Sequence, residues 1–312
     1  MKPLRLLSLI LGVMLSMPAS PAMPLRFSTT QQSQQQQFNY QFDFNGQPQQ
    51  LQFAISNATL AGHFRQFRSF QPALLQQYLW QDLRSHAAQY PNVRLKRLPQ
   101  HSGLRYQIRT NDAELQQKLS TELKQLTAQR TDFYLQRDYY YRHTMLFGEQ
   151  YIIPDHQRLM ADSLTDLLPL AQALHAKLAN TPSRDSLAYI SSWLQQIPYQ
   201  DLSDRSEAAG TSFSPPLKML QENRGDCDSK AVLLAALLRM LLPDVRLAMI
   251  YLPQHAMLAV QLPAKAEDMT VTIDGRVYLL VDPTGPAQLP PGTISLQHQL
   301  YSRNNQFSYR LL

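Results

Sequence analysis

Residues Ala231 to Leu238 read Ala-Val-Leu-Leu-Ala-Ala-Leu-Leu, an unbroken apolar run of strong helix formers. A helix that is apolar nearly all round cannot lie on a surface and has to be enclosed in a domain core. Directly before it stands Arg224-Gly225-Asp226-Cys227-Asp228-Ser229-Lys230. Cys227 therefore falls at the N-terminus of a buried helix. Helix dipole and unpaired backbone N–H groups favour an anion there, so the expectation is a stabilised thiolate, with the same N–H groups serving as half of an oxyanion hole. Gly225 allows another backbone, or a substrate, to approach closely.

Cys227 is the only cysteine of the 312 residues, so an intramolecular disulfide is impossible. Read alone, a single cysteine is either a small buried hydrophobe or a reactive group. The N-terminus bears on this choice. Lys2 and Arg5 precede an apolar run from Leu6 to Met17, followed by Pro18 and the small residues Ala19, Ser20 and Ala22. This is the pattern of a cleavable signal peptide over residues 1–22, too short for the roughly 20 apolar residues of a membrane span. The expected location is the periplasm, with secretion as the alternative, and no stable membrane insertion after cleavage. A lone thiol kept in an oxidising compartment points to use.

A thiol nucleophile needs a group that moves its proton, and histidine suits that duty near neutral pH. Residues 246–252 read as a strand, Pro253-Gln254 as a turn, and His255 opens a second strand, 28 residues after Cys227. A hairpin turn at Asp274-Gly275 leads into the apolar run Val277 to Val281, which ends at Asp282-Pro283-Thr284-Gly285. An acid leaving a buried strand can reach a histidine on the neighbouring strand and fix its tautomer. Asp282 is equally suited to starting an Asp-Pro turn.

Together, Gly-Asp-Cys-Asp-Ser-Lys-Ala leading into the Leu/Ala-rich helix, His255-Ala256, and Val281-Asp282-Pro283-Thr284 resemble the transglutaminase-like superfamily in residue type, order and spacing, over about 185–291. Met257 departs from the tryptophan often found beside that histidine. The resemblance implies an α+β fold with a papain-like core: a nucleophile helix packed on an antiparallel sheet that carries histidine and aspartate. It implies Cys227 as nucleophile, His255 as its base and Asp282 as the residue orienting that base, with no cofactor. Tyr199 and Gln200, in Ile197-Pro198-Tyr199-Gln200, match the family's approach to the site and are candidates for the oxyanion hole. Tyr199 serves core packing equally well. The implied activity is a thiol hydrolase, a protease or amidase acting on proteins or peptides of the cell envelope. Acyl transfer from protein glutamine and a non-catalytic binding module on the same fold are the alternatives.

The rest of the chain is less explicit. Residues 23–37, with the Gln-rich stretch Gln31 to Gln37, read as a poorly ordered leader. Residues 38–150 read as a separate small α/β domain in the order ββαββα, in which Asn111 caps a long helix. Residues 151–312 form the catalytic domain, with helices over 163–178 and 183–196, the second capped by Ser183. The segment Asp201 to Ser214 lacks apolar periodicity and reads as a loop placed to gate the cleft. The formal charge of +6 falls to +4 on loss of Lys2 and Arg5, and the remaining positive residues are interspersed with acids, so no nucleic-acid surface is indicated. Histidines are dispersed and no thiolate cluster is possible, so no metal site is expected.

Overall fold

A computed structural model describes residues 24–64, 67–99, 103–146, 148–202 and 213–312. Residues 1–22, expected to be a signal peptide, and most of the 201–214 segment lie outside the described residues. Helices and antiparallel sheets are segregated along the chain, as in an α+β fold.

Three antiparallel strands come first: β1 (Arg26–Gln31), β2 (Gln35–Phe44) and β3 (Gln47–Ser56), in the order β1-β2-β3. The Gln-rich segment is therefore the end of β1, the turn over 32–34 and the start of β2, and not a loose leader. Ladder hydrogen bonds are made by backbone groups regardless of side chain, and the alternation of Phe38, Tyr40 and Phe42 sets the register on through Gln36, which pairs with Gln31 and Ile55. The Asn45-Gly46 turn has both residues at positive φ, 55° and 74°, as a tight hairpin requires.

After α1 (Asn57–Gly62), helix α2 (Pro72–Ala87), strands β4 (Arg94–Leu98) and β5 (Arg105–Arg109), and helix α3 (Ala113–Arg137) form a small lobe around Ala87, Val93 and Leu119. Asp112, not Asn111, caps α3, accepting from the Leu115 N–H at 3.0 Å. A hairpin of β6 (Tyr140–Thr144) and β7 (Gln150–Pro154) follows, its first residue Tyr140 buried with the hydroxyl donating to Arg68 O.

Helices α4 (His156–Leu178), α5 (Ser183–Gln196) and α6 (Pro216–Glu222) lead to α7 (Cys227–Leu241). Ser183 lies inside α5 and Pro182 occupies the cap position, so the serine hydroxyl does not cap this helix. The first sheet belongs to the same hydrophobic core as these helices. Tyr40 meets Trp193 edge-on at 5.1 Å between ring centroids, and Phe42 meets Tyr189 at 5.3 Å. A separate domain over 38–150 therefore does not describe the packing; of that stretch, α2 to α3 stands apart as the small lobe.

The second sheet has the order β10-β11-β9-β8-β12, all neighbours antiparallel, with β8 (Leu247–Leu252), β9 (His255–Val260), β10 (Thr270–Ile273), β11 (Arg276–Val281) and β12 (Ser308–Leu311). Helix α8 (Leu296–Arg303) lies between β11 and β12 in the chain. Side chains alternate across this sheet. Leu247, Met249, Leu258, Val260, Leu279 and Val281 join α7 in the main core, while Ala248, Ile250, Met257, Ala259, Tyr278 and Leu280 form a second core on the opposite face. Buried on both faces, these strands read as continuous apolar runs. Met257 thus points away from the α7 face. Among the described residues no helix is long and apolar enough to cross a membrane.

Candidate active site

Asp226 caps α7, its side chain accepting from the Ser229 N–H at 3.0 Å, and Cys227 is the first helical residue. Gly225 bridges in parallel to Tyr199: its N–H donates to Pro198 O at 3.2 Å and its carbonyl accepts from Gln200 N at 3.1 Å. A Cβ on Gly225 would come within 2.6 Å of Met219 Cγ. What an added Cβ would meet at this glycine is thus the Met219 side chain, rather than the second backbone or substrate that its place before the cysteine suggests.

Cys227 is 8% exposed, and its thiol donates to Asp228 Oδ1 at 3.1 Å. Burial pushes this thiol well above its ordinary pKa, and the carboxylates of Asp228 and Asp226 push it further; the Ala256 N–H directed at the sulfur works the other way. The expectation of a stabilised thiolate therefore fails for the resting site. At this sulfur, loss of water and two flanking carboxylates both favour the thiol over the thiolate. Its contact with Ala256 sets it beside His255, and both residues line one cleft.

His255 begins β9 opposite Leu252, at the rim of the hairpin turned by Pro253-Gln254. Its Nε2 lies 2.9 Å from Asp282 Oδ2. Asp282 leaves β11 next to β9, and its other oxygen accepts from the Thr284 N–H at 3.0 Å. Burial raises the Asp282 pKa, but the His255 contact and the Thr284 N–H outweigh it and hold the carboxyl below the usual carboxylate range. With Nε2 committed to Asp282, Nδ1 is the nitrogen left for proton transfer.

Around this pair lie residues that sequence reasoning missed. The His298 ring of α8 stacks on His255 at 4.1 Å between centroids and 11° between planes, with Nδ1 at 2.9 Å from Ser295 Oγ. The Gln195 amide donates to Asp282 O at 2.7 Å and to Leu289 O at 2.8 Å. Lys230 is fully buried, its ammonium donating to Ile197 O and Thr284 O at 2.5 and 2.6 Å, tying the segment before Tyr199 and the segment after Asp282 to α7. Burial lowers the Lys230 pKa to about 8, against the pull of Asp282. Behind the cysteine, Asp228 Oδ2 is 3.3 Å from His156 Nε2, and His156 Nδ1 is 2.8 Å from the Tyr251 hydroxyl. Asp228 and Lys230 adjoin Cys227 in sequence, but nothing in the local pattern says that their side chains face the site.

Of the oxyanion candidates, Gln200 is buried and Tyr199 is 51% exposed. Gln200 Oε1 has no hydrogen-bond partner among the described residues. Burial raises the Tyr199 hydroxyl to about 12, helped by Cys227 and nearby aspartates, so it stays a neutral donor. His255, Asp282 and His298 place ligand-type atoms within 4.8 Å of one another, a convergence that dispersed sequence positions concealed. Two of those atoms already face each other across the His255–Asp282 contact and the third faces Ser295, which makes the cluster a hydrogen-bonded pair with an aromatic support.

Asp226 gives a pH prediction. Burial, with Asp228 adding to it, raises its pKa from 3.8 to about 7. A raised folded-state pKa adds stability that is complete below the unfolded value and lost as pH rises from there through about 7. Asp226→Asn keeps an acceptor for the Ser229 N–H and removes the titration. Between pH 5 and pH 7.5 the wild type should therefore lose about 2 to 3 kcal/mol more than the variant, read from urea unfolding at the two pH values. Parallel curves would show that Asp226 does not titrate in that window.

No protein-family model matches the sequence, and no curated protein sequence matches it either.

Proposed function

We propose that the protein is an exported thiol hydrolase, built on the papain-like core of the transglutaminase-like superfamily, that cleaves amide bonds in proteins or peptides of the cell envelope. The observation that carries this reading is the 2.9 Å His255–Asp282 contact in the cleft that Cys227 also lines, at the start of α7. Nucleophile and base come from separate chain segments that line one cleft, and the buried acid from a third segment meets the base, which is the order a triad requires.

In the reaction, His255 Nδ1 takes the Cys227 proton as the sulfur bonds to the carbonyl carbon. The tetrahedral oxyanion is held by the Cys227 N–H and by Gln200 or Tyr199. Collapse breaks the C–N bond, and the leaving amine receives the proton from His255. Water, deprotonated by the same nitrogen, then attacks the thioester, the C–S bond breaks, and the proton returns to sulfur. Asp282 stabilises the imidazolium throughout. Export rests on residues 1–22 and implies recovery of the protein from the periplasmic fraction.

Comparison of new N-termini in the envelope proteome of wild-type cells and of cells carrying Cys227→Ala tests the reading. Cleavages present in the first and missing in the second are expected. Identical cleavage sets, with full rescue of a deletion strain by Cys227→Ala, would favour the binding module. Incorporation of a labelled amine into substrate, in place of a free acid, would identify a transferase.

A further inference from the structure

The cleft beside Cys227 has a volume of about 620 Å³. Part of its lining is the β6–β7 hairpin, which contributes Met145, Leu146, Tyr151 and Ile153; Tyr301 of α8 and Phe307, just before β12, contribute another part. Leu146 and Tyr151 are 48% and 50% exposed, open apolar surface on an element that also closes onto the site. Contiguous with the cleft, this half-exposed apolar surface is suited to receive an apolar ligand group.

Many polar groups of this cleft are already satisfied by one another. His143 Nε2 is 2.8 Å from Ser308 Oγ, Tyr251 is bonded to His156, the Tyr151 hydroxyl donates to Glu149 at 3.0 Å, and the thiol donates to Asp228. What they leave for an occupant is largely apolar. Among the described residues, the charged lining apart from histidine is Glu149 and Asp228, both acidic, with no lysine or arginine. An acidic side chain would lose its water and meet like charge. A fatty-acid or phospholipid head group would meet the same repulsion.

We infer that this cleft selects peptide segments with a bulky apolar side chain, leucine or phenylalanine in kind, next to the bond attacked by Cys227, and rejects acidic ones. The inference rests on the proposed hydrolase, with the β6–β7 hairpin as its specificity element.

Binding can be separated from chemistry. Full-length Cys227→Ala protein is titrated into fluorescein-labelled hexapeptides that differ at one central position, leucine, phenylalanine or aspartate, and anisotropy gives Kd. The leucine and phenylalanine peptides should bind at least ten-fold more tightly than the aspartate peptide. Leu146→Ser with Tyr151→Ser, both at exposed positions, should cut that preference at least three-fold. Equal affinities, no measurable binding of any peptide, or an unchanged preference in the double variant overturns the inference. Iodoacetamide labelling of Cys227 in the wild-type protein and in His255→Ala reports on the catalytic reading independently: a selective cleft with equal labelling rates would leave a peptide-binding module and remove the hydrolase.

Discussion

His255→Ala should slow alkylation of Cys227 by iodoacetamide at pH 7 at least 100-fold, in a variant that still folds. The size follows from the resting state of the sulfur. Burial and the carboxylates of Asp228 and Asp226 hold the thiol well above its ordinary pKa, so hydroxide-driven ionisation supplies almost no thiolate. The proton has to leave through a neighbouring base, and general-base assistance is typically worth about 10² to 10⁴ in rate. Among the residues lining the cleft, His255 has its Nε2 fixed by Asp282 and its Nδ1 available, whereas His143 is occupied on both nitrogens by Tyr141 and Ser308. Stopped labelling time courses, read by mass spectrometry of the Cys227 peptide, measure the rate directly. Circular dichroism and the urea midpoint of the variant check that the fold persists. Equal rates in the two proteins would dismantle the triad, since a sulfur ionised without His255 has no need of it.

How much of this was legible in the sequence depends on whether a residue acts through local pattern or through a distant contact. The α7 helix, the β8–β9 and β10–β11 hairpins and the exit of Asp282 each carry a local signature: an all-apolar run, a period of alternation, or an Asp-Gly turn with φ of 50° and 75°. Their side chains meet because the strands are adjacent in the sheet, which the sequence order already suggests. His298 left no such trace. It reaches His255 through the return of α8 over the sheet, a matter of tertiary packing. Lys230 carries no local sign of its role either: two carbonyls receive its ammonium inside the core. The Gln-rich segment was misread for the opposite reason: composition signalled disorder, while pairing with a strongly patterned neighbour imposed order. The thiol's resting state was misjudged because a helix terminus is visible in sequence and burial is not.

Gly285→Ala should cost about 3 to 5 kcal/mol of stability, far more than the same change at Gly46, whose surroundings are open. Gly285 has φ of +68°, and a Cβ there would lie 1.9 Å from Gln195 O and 2.7 Å from Gln195 C. Those are backbone atoms of α5 and cannot swing aside as a side chain would. The segment carrying Gly285 would have to retreat, and that segment also holds Thr284 O against the Lys230 ammonium and Asp282 O against the Gln195 amide. Each buried carbonyl deprived of its donor loses about 1 to 3 kcal/mol, and the backbone strain at positive φ adds to it. Gly46 supplies the control. Its φ is +74° but nothing lies within 4 Å of an added Cβ, so Gly46→Ala should cost about 1 to 2 kcal/mol from backbone conformation alone. Urea unfolding of the two variants beside wild type measures the difference. The displaced segment also moves Asp282 away from His255, so surviving folded Gly285→Ala should alkylate Cys227 at least ten-fold more slowly, while Gly46→Ala labels at the wild-type rate. Similar losses at both glycines would mean that the approach of Gly285 to α5 is relieved elsewhere, and that the position of Asp282 is not set by this contact.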